Sequence, residues 1–181
     1  HIAVSGKNSP EWALVYLSVL YAGGIIIPID YGLHDHEIES LLKTAKPRFF
    51  FVDEEKYEHF LKESKSQAFI GDVYSLNSKY PERYVYNLEA EPLATYFPLQ
   101  ETDTAAILFT SGTMGNPKGV MLSHRNIVSD CYIAQSNLSI SETDIFYALL
   151  PIHHSYTMVA VFIEALSVGA EIVFGKSLVV S

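Results

Sequence analysis

Apolar residues follow two rhythms along this chain, short unbroken runs and positions spaced by three and four. Ile2-Ala3-Val4 is the first run and predicts a strand. Ser9-Pro10-Glu11 then opens a helix, with Ser9 as N-cap and Pro10 in the first helical position. Trp12, Val15, Tyr16, Val19 and Leu20 line one face of it. Gly23-Gly24 ends that helix, and Ile25 to Ile29 reads as a buried strand closed by Pro28 and Asp30. The span from Trp12 to Ile29 carries no charge and approaches the length of a membrane helix, but the glycine pair inside it favours a helix followed by a strand. Ile38, Leu41, Leu42 and Ala45 mark a second helix, stopped by Pro47. Arg48-Phe49-Phe50-Phe51-Val52 is a continuous strand ending at Asp53. A short polar helix from about Glu54 to Lys62 and a strand near Ala68 to Val73 follow. Strands alternating with helices in this way predict an α/β fold of layered, largely parallel sheets flanked by helices.

The stretch from Ser75 to Thr102 breaks the rhythm. It holds Pro81, Pro92 and Pro98, shows weak periodicity, and reads as an irregular connection, a candidate joint between subdomains. Thr104 to Phe109 is then a clean buried strand, followed by a glycine-bearing loop and the short apolar run Val120-Met121-Leu122. Ser123 caps a helix through roughly Gln135. Phe146 to Leu150 predicts a strand ending at Pro151, and a helix from about Tyr156 to Leu166 leads through Gly169 into a last strand, Glu171 to Phe174. No internal repeat is visible.

Composition narrows the function classes. Hydrophobic residues make up 49% of the 181 residues and charged ones 18%, so the chain can pack a core. A net charge of -9, with 12 scattered Lys and Arg, argues against a nucleic-acid surface, since phosphate backbones need clustered cations. The lone Cys131 has no internal disulfide partner, which fits a reducing cytoplasm, and there the Asn137-Leu138-Ser139 sequon is chance. No transmembrane segment is predicted; peripheral membrane contact stays open. The chain starts at His1 already at strand-like density and stops at Ser181 after an apolar run, so both ends read as cuts.

The loop carries the chemistry. Thr110-Ser111-Gly112-Thr113-Met114-Gly115-Asn116-Pro117-Lys118-Gly119 follows a buried strand, and in α/β folds ligands bind at that carboxyl end. Gly112 and Gly115 let the backbone bend and bring its amides close to an anion. Thr110, Ser111 and Thr113 offer hydroxyl donors, and Lys118 a flexible point charge. A triphosphate needs that combination of close approach, donors and charge compensation. Pro117-Lys118-Gly119 stands where a Walker loop needs Gly-Lys-Ser/Thr, so a P-loop NTPase is disfavoured.

The run Leu108 to Val120, with Ser123-His124 behind it, resembles the AMP-binding signature of the adenylate-forming superfamily of acyl-CoA synthetases, luciferases and peptide-synthetase adenylation domains. Asn8 to Trp12, Ala22-Gly23-Gly24 and Pro28-Ile29-Asp30 are similar to its upstream blocks, in order. Leu150-Pro151-Ile152-His153-His154-Ser155-Tyr156 resembles the Leu-Pro-x-x-His segment of acyl-CoA synthetases, and the likeness is weakest between Tyr57 and Thr102. Met114 departs from the pattern, replacing a usual Thr or Ser and removing one phosphate donor.

The resemblance implies the large N-terminal domain of an enzyme that activates a carboxylic acid, expected to be a fatty acid, with ATP and Mg²⁺ and passes it to coenzyme A. It implies that Thr110, Ser111, Gly112, Thr113, Gly115, Lys118 and Gly119 hold the ATP phosphates. His154 would stand near the acyl carboxylate and Tyr156 in the acyl pocket, while His153 reads as a structural histidine. No metal ligands are assigned, because adjacent histidines point apart and His34, His36 and His124 read as surface or capping residues. The family's later blocks and its C-terminal domain do not appear before Ser181, so this stretch alone is expected to be inactive. Two alternatives remain open, an adenylate-forming relative that loads a carrier protein and a non-catalytic nucleotide-binding module.

Overall fold

The computed structural model describes residues 1–91, 97–110 and 117–175. β1 (Ile2–Ser5) leads into α1 (Pro10–Tyr21), whose entry is fixed by the Ser9 hydroxyl accepting the Trp12 N–H at 3.2 Å. β2 (Ile26–Pro28) follows, so the uncharged stretch is indeed a helix and then a strand. Among the described residues no helix is long and apolar enough to cross a membrane. α2 (Asp35–Ala45) ends in a left-handed Lys46 before Pro47, β3 (Phe49–Val52) follows, and α3 (Glu54–Glu63) comes next.

β4 (Asp72–Ser75) lies later than the Ala68 to Val73 strand that the apolar run predicts. The reason is steric. A Cβ on Gly71 would lie 1.9 Å from the Arg48 carbonyl oxygen, so the chain crosses closely there before it can pair. The ladder starts only at Asp72, whose N–H donates to that carbonyl at 3.1 Å. Ile70 fills the core from a turn instead.

β5 (Thr104–Thr110) and α4 (His124–Gln135) agree with expectation, while the apolar run at 120–122 proves to be part of a strand, β6 (Lys118–Ser123), that takes in the loop's Lys118 and Gly119; the sheet runs β4-β3-β1-β2-β5-β6. Its first five strands are parallel and β6 returns antiparallel to β5. A second, two-stranded parallel sheet pairs β7 (Ile145–Ala148) with β8 (Glu171–Phe174). β7 stops before Leu149, short of the predicted Leu150. The predicted helix from Tyr156 is α5 (Ser155–Thr157), then a π-helical turn at Met158–Ile163, then α6 (Glu164–Val168), closed by Gly169 at φ +75°.

Strand alternation sends neighbouring residues to opposite cores. Ala3, Ile27 and Phe50 join Ile38, Leu42 and Phe60 on the α2–α3 face. Val4, Ile26 and Ala106 join Trp12, Tyr16 and Phe162 on the α1 face. Trp12 stacks on Tyr16 at 5.4 Å, and Phe162 meets the two rings edge-on at 6.3 and 5.6 Å. α1 is thus clamped between the large sheet and the π turn, which explains a helix with so little polar face. The connection after β4 is irregular, as expected, with 3₁₀ turns at Pro81–Arg83 and Val85–Asn87; the Tyr84 hydroxyl donates to the Glu11 carboxylate at 2.8 Å.

Candidate functional site

Parallel pairing puts the ends of β1, β2, β3 and β5 on one edge of the sheet. Ile26 pairs with Ala106, so counting along both strands brings Asp30 level with Thr110. On that edge β5 hands over to the glycine loop, and the chain comes back with Thr110 opposite Lys118 and Phe109 opposite Gly119. The Thr110 hydroxyl reaches the Lys118 carbonyl at 3.5 Å, and both residues are exposed. A strand–loop–antiparallel-strand setting differs from the strand–loop–helix of a Walker site. Ser111, Gly112, Thr113 and Gly115, together with Met114, lie outside the described residues. Gly119 has a packing reason of its own, since a Cβ there would sit 2.9 Å from Ile107 Cγ2 and push β6 off β5.

The helix behind β6 starts on a reciprocal cap. The Ser123 hydroxyl accepts the Asn126 N–H at 3.1 Å, and the Asn126 side-chain oxygen accepts the Ser123 N–H at 3.0 Å.

Beside β1, Asn8 joins the two sheets. Its side-chain amide donates to the carbonyls of Ala148 and Leu150 at 2.8 and 2.9 Å, and its oxygen accepts the Ile152 N–H at 2.8 Å. Asn8 is buried, and all three bonds fall on the segment that leads to the histidine pair. It occupies the Leu150 carbonyl and the Ile152 N–H beyond β7, and shares the Ala148 carbonyl with the Gly175 N–H at 3.0 Å. Asp53 ties the same edge together: its carboxylate accepts the Lys7 N–H at 2.6 Å. Burial holds the Asp53 carboxyl above the usual carboxylate range, and the Lys7 amide works against that shift.

His153 is buried, with its Nε2 at 3.4 Å from Asp30 Oδ1 and its ring edge-on to Tyr31 at 6.2 Å. Burial pushes the His153 imidazole down to about 4; Asp30 opposes the shift and His154 adds to it. The ring is therefore neutral at pH 7, and among the described residues neither of its nitrogens makes a hydrogen bond. The His154 ring lies 4.3 Å from it and is exposed, as is Tyr156 at 68%. Among the described residues no three His, Cys, Asp or Glu gather as metal ligands.

The structure thus brings the 153–156 segment, through Asp30, to the edge where Thr110 and Lys118 stand. Sequence reasoning missed Asn8 and Asp30 as the parts that do this. The available signals were a polar residue just after a buried strand in one case and an acid at a strand's carboxyl end in the other.

A family model described as AMP-binding enzyme matches residues 1–179. Crotonobetaine/carnitine–CoA ligase of Salmonella arizonae is 25% identical over 96% of this chain and 35% of its own. Long-chain-fatty-acid–CoA ligase 1 of Cavia porcellus is 29% identical over 86% of this chain and 25% of its own. The ATP-bound crystal structure of MatB from Rhodopseudomonas palustris superposes with a TM-score of 0.82 over 98% of this chain and 35% of its own, at 23% identity, a likeness of fold. The chain spans about a third or less of each of these proteins' length.

Proposed function

This chain belongs to the AMP-binding enzyme family, and from that premise we propose that its protein activates a carboxylic acid, a fatty acid by preference, as an acyl-adenylate. A carboxylate is a poor electrophile, because its charge repels nucleophiles and it lacks a leaving group. Attack by a carboxylate oxygen on the α-phosphorus of ATP forms an acyl–oxygen–phosphorus bond and expels pyrophosphate. The coenzyme A thiol then attacks the acyl carbon, forming the thioester as AMP leaves. Most of the first step is positioning and charge neutralisation.

In this reading Thr110, Ser111, Gly112, Thr113, Gly115, Lys118 and Gly119 form the grip on the β- and γ-phosphates. His154 stands at the acyl carboxylate and Tyr156 lines the acyl pocket. The neutral, buried His153 and the Asn8 clamp hold His154 in place. Mg²⁺ finds no cluster of three ligands among the described residues, so it is assigned to the nucleotide phosphates and to chain outside them. The observation that supports the reading is the Asp30–His153 contact at 3.4 Å, which joins the 153–156 segment to the edge where Thr110 and Lys118 stand. Residues 1–181 alone are expected to form no acyl-adenylate.

The test is ATP–pyrophosphate exchange by the complete protein over acids from acetate to palmitate, with benzoate included. The expected result is exchange strongest with a long-chain acid, followed by thioester once coenzyme A is added. Exchange with none of these acids sinks the proposal. Exchange without thioester moves the second step to a different thiol.

A further inference from the structure

At the opposite edge of the large sheet, before β3 and β4 begin, lies a depression of about 640 Å³. Lys46, Arg48, Lys65 and Arg83 line it, with Asp72 as the one acid among its lining residues. These are four of the 12 Lys and Arg in a chain of net charge -9, so the clustering runs against the overall field. Of the other described cations three are paired with carboxylates, Lys7 with Glu55 at 2.6 Å, Lys56 with Asp35 at 2.7 Å and Arg125 with Glu101 at 3.3 Å, while the unpaired Lys43, Lys62, Lys79 and Lys118 line no shared depression. Among the described residues none of the four around the depression has a carboxylate partner. The Arg48 and Arg83 guanidinia rest instead on the rings of Phe49 and Tyr74, at 5.4 and 5.2 Å. Stacking of that kind holds a guanidinium plane in place while leaving its N–H donors available.

The floor is stiff, because the Gly71 backbone is pressed against the Arg48 carbonyl too closely for any side chain. Half-buried Leu61 and Phe69 supply an apolar wall. The volume falls in the usual range for small-molecule sites, roughly 300–1,000 Å³.

We propose that this depression binds an amphiphilic phosphate ester, its phosphate held by the four cations and its apolar part lying on Leu61 and Phe69. An excess of cations over the single acid suits a dianionic phosphate better than a singly charged carboxylate, and two stacked guanidinia suit its oxygens. The ligand is either a free molecule or a phospholipid headgroup presented by a bilayer. Because the depression lies across the sheet from Thr110, the ligand regulates or tethers the enzyme and takes no part in chemistry. The inference stands independently of the reading of the carboxyl edge.

The test uses the complete protein, octyl phosphate below its aggregation concentration, octanoate as the carboxylate control, and vesicles of phosphatidylcholine with and without phosphatidic acid. Octyl phosphate is expected to bind, and Arg48→Glu/Lys65→Glu to weaken it by roughly tenfold or more. Both side chains are exposed, so that variant is expected to keep wild-type thermal stability and ATP–pyrophosphate exchange. Lys118→Ala is expected to leave octyl phosphate binding unchanged, which separates this site from the phosphate loop. Capture by phosphatidic acid vesicles that the double variant loses assigns the ligand to a bilayer; octyl phosphate binding without capture assigns it to a free molecule. Absence of octyl phosphate binding, binding unaffected by the double variant, or octanoate binding just as tightly overturns the proposal.

Discussion

Residues before about 91 and residues after about 104 are written in the same alternating code, yet they pack differently. In the first half the apolar faces close on themselves. Trp12, Tyr16, Ile27, Phe50 and Phe60 are wholly buried, and each strand from β1 to β3 has side chains on two cores. In the second half comparable residues face outward: Met121 is 68% exposed, Tyr132 68% and Ile145 66%. Where this half is buried, at Ala105–Ala106 of β5, at Ile127 of α4 and at Ile152, Met158 and Phe162, much of it shares the core of α1. Periodicity therefore states which face of an element is apolar, whereas burial depends on a second layer arriving to meet it. The candidate site lies on the seam between the two halves, where Asn8 and Asp30 of the closed half hold the 150–156 segment of the open one.

The comparison can be broken most directly by truncation. Trp12→Ala is expected to cost about 3–5 kcal/mol of unfolding free energy, because it removes an indole from between two layers. Tyr132→Ala, on the open face of α4, is expected to stay within about 0.5 kcal/mol. Denaturant melts of residues 1–181 compare the two, and equal losses would mean that the halves are not packed differently in solution.

Asn8→Ala comes next. It leaves the Leu150 carbonyl and the Ile152 N–H without a partner, whereas the Ala148 carbonyl keeps the Gly175 N–H, with an expected loss of about 2 kcal/mol and a fall in ATP–pyrophosphate exchange. A variant that melts earlier but keeps full exchange would show that the clamp does not position the site.

His153 sharpens the comparison through pH. Its folded value of about 4 lies below the ordinary 6.5, so the unfolded chain binds the extra proton. Its contribution is fully present above 6.5 and is lost as pH falls towards 4, about 2–3 kcal/mol across that window. His153→Gln is expected to flatten this part of the stability curve; an unchanged slope would remove His153 as its source.

The smallest effect is expected at Glu164, 1% exposed beside α4, with Oε1 making no hydrogen bond among the described residues. Burial, and then Asp130, hold its carboxyl above the usual carboxylate range. A raised folded value stabilises below the ordinary range and is lost as pH rises through it, so Glu164→Gln is expected to raise the melting midpoint at pH 7 by roughly 2–4 °C. A lowered midpoint would contradict the burial argument.

The parts legible in the sequence were those governed by neighbours along the chain. Ser9 and Pro10 placed the start of α1, and Gly169 the end of α6, because caps act locally. β4 was misplaced because Gly71 answers to the Arg48 backbone, a contact made across the sheet. The π turn at Met158–Ile163 keeps the apolar face of an ordinary helix, so spacing could not reveal it. At the site, Thr110 and Lys118 were visible as a motif. The Asn8 clamp was not, since its partner Ile152 lies 144 positions away and nothing local in either segment points to the other.

The central claim is that the edge carrying Thr110 and Lys118 grips the phosphates of ATP. ATP–pyrophosphate exchange by the complete protein, wild type against Lys118→Ala, tests it at a residue that is exposed and carries no fold. The predicted result is a rate roughly 10²-fold lower at saturating acid, with the melting midpoint unchanged. An exchange rate equal to wild type would contradict the claim.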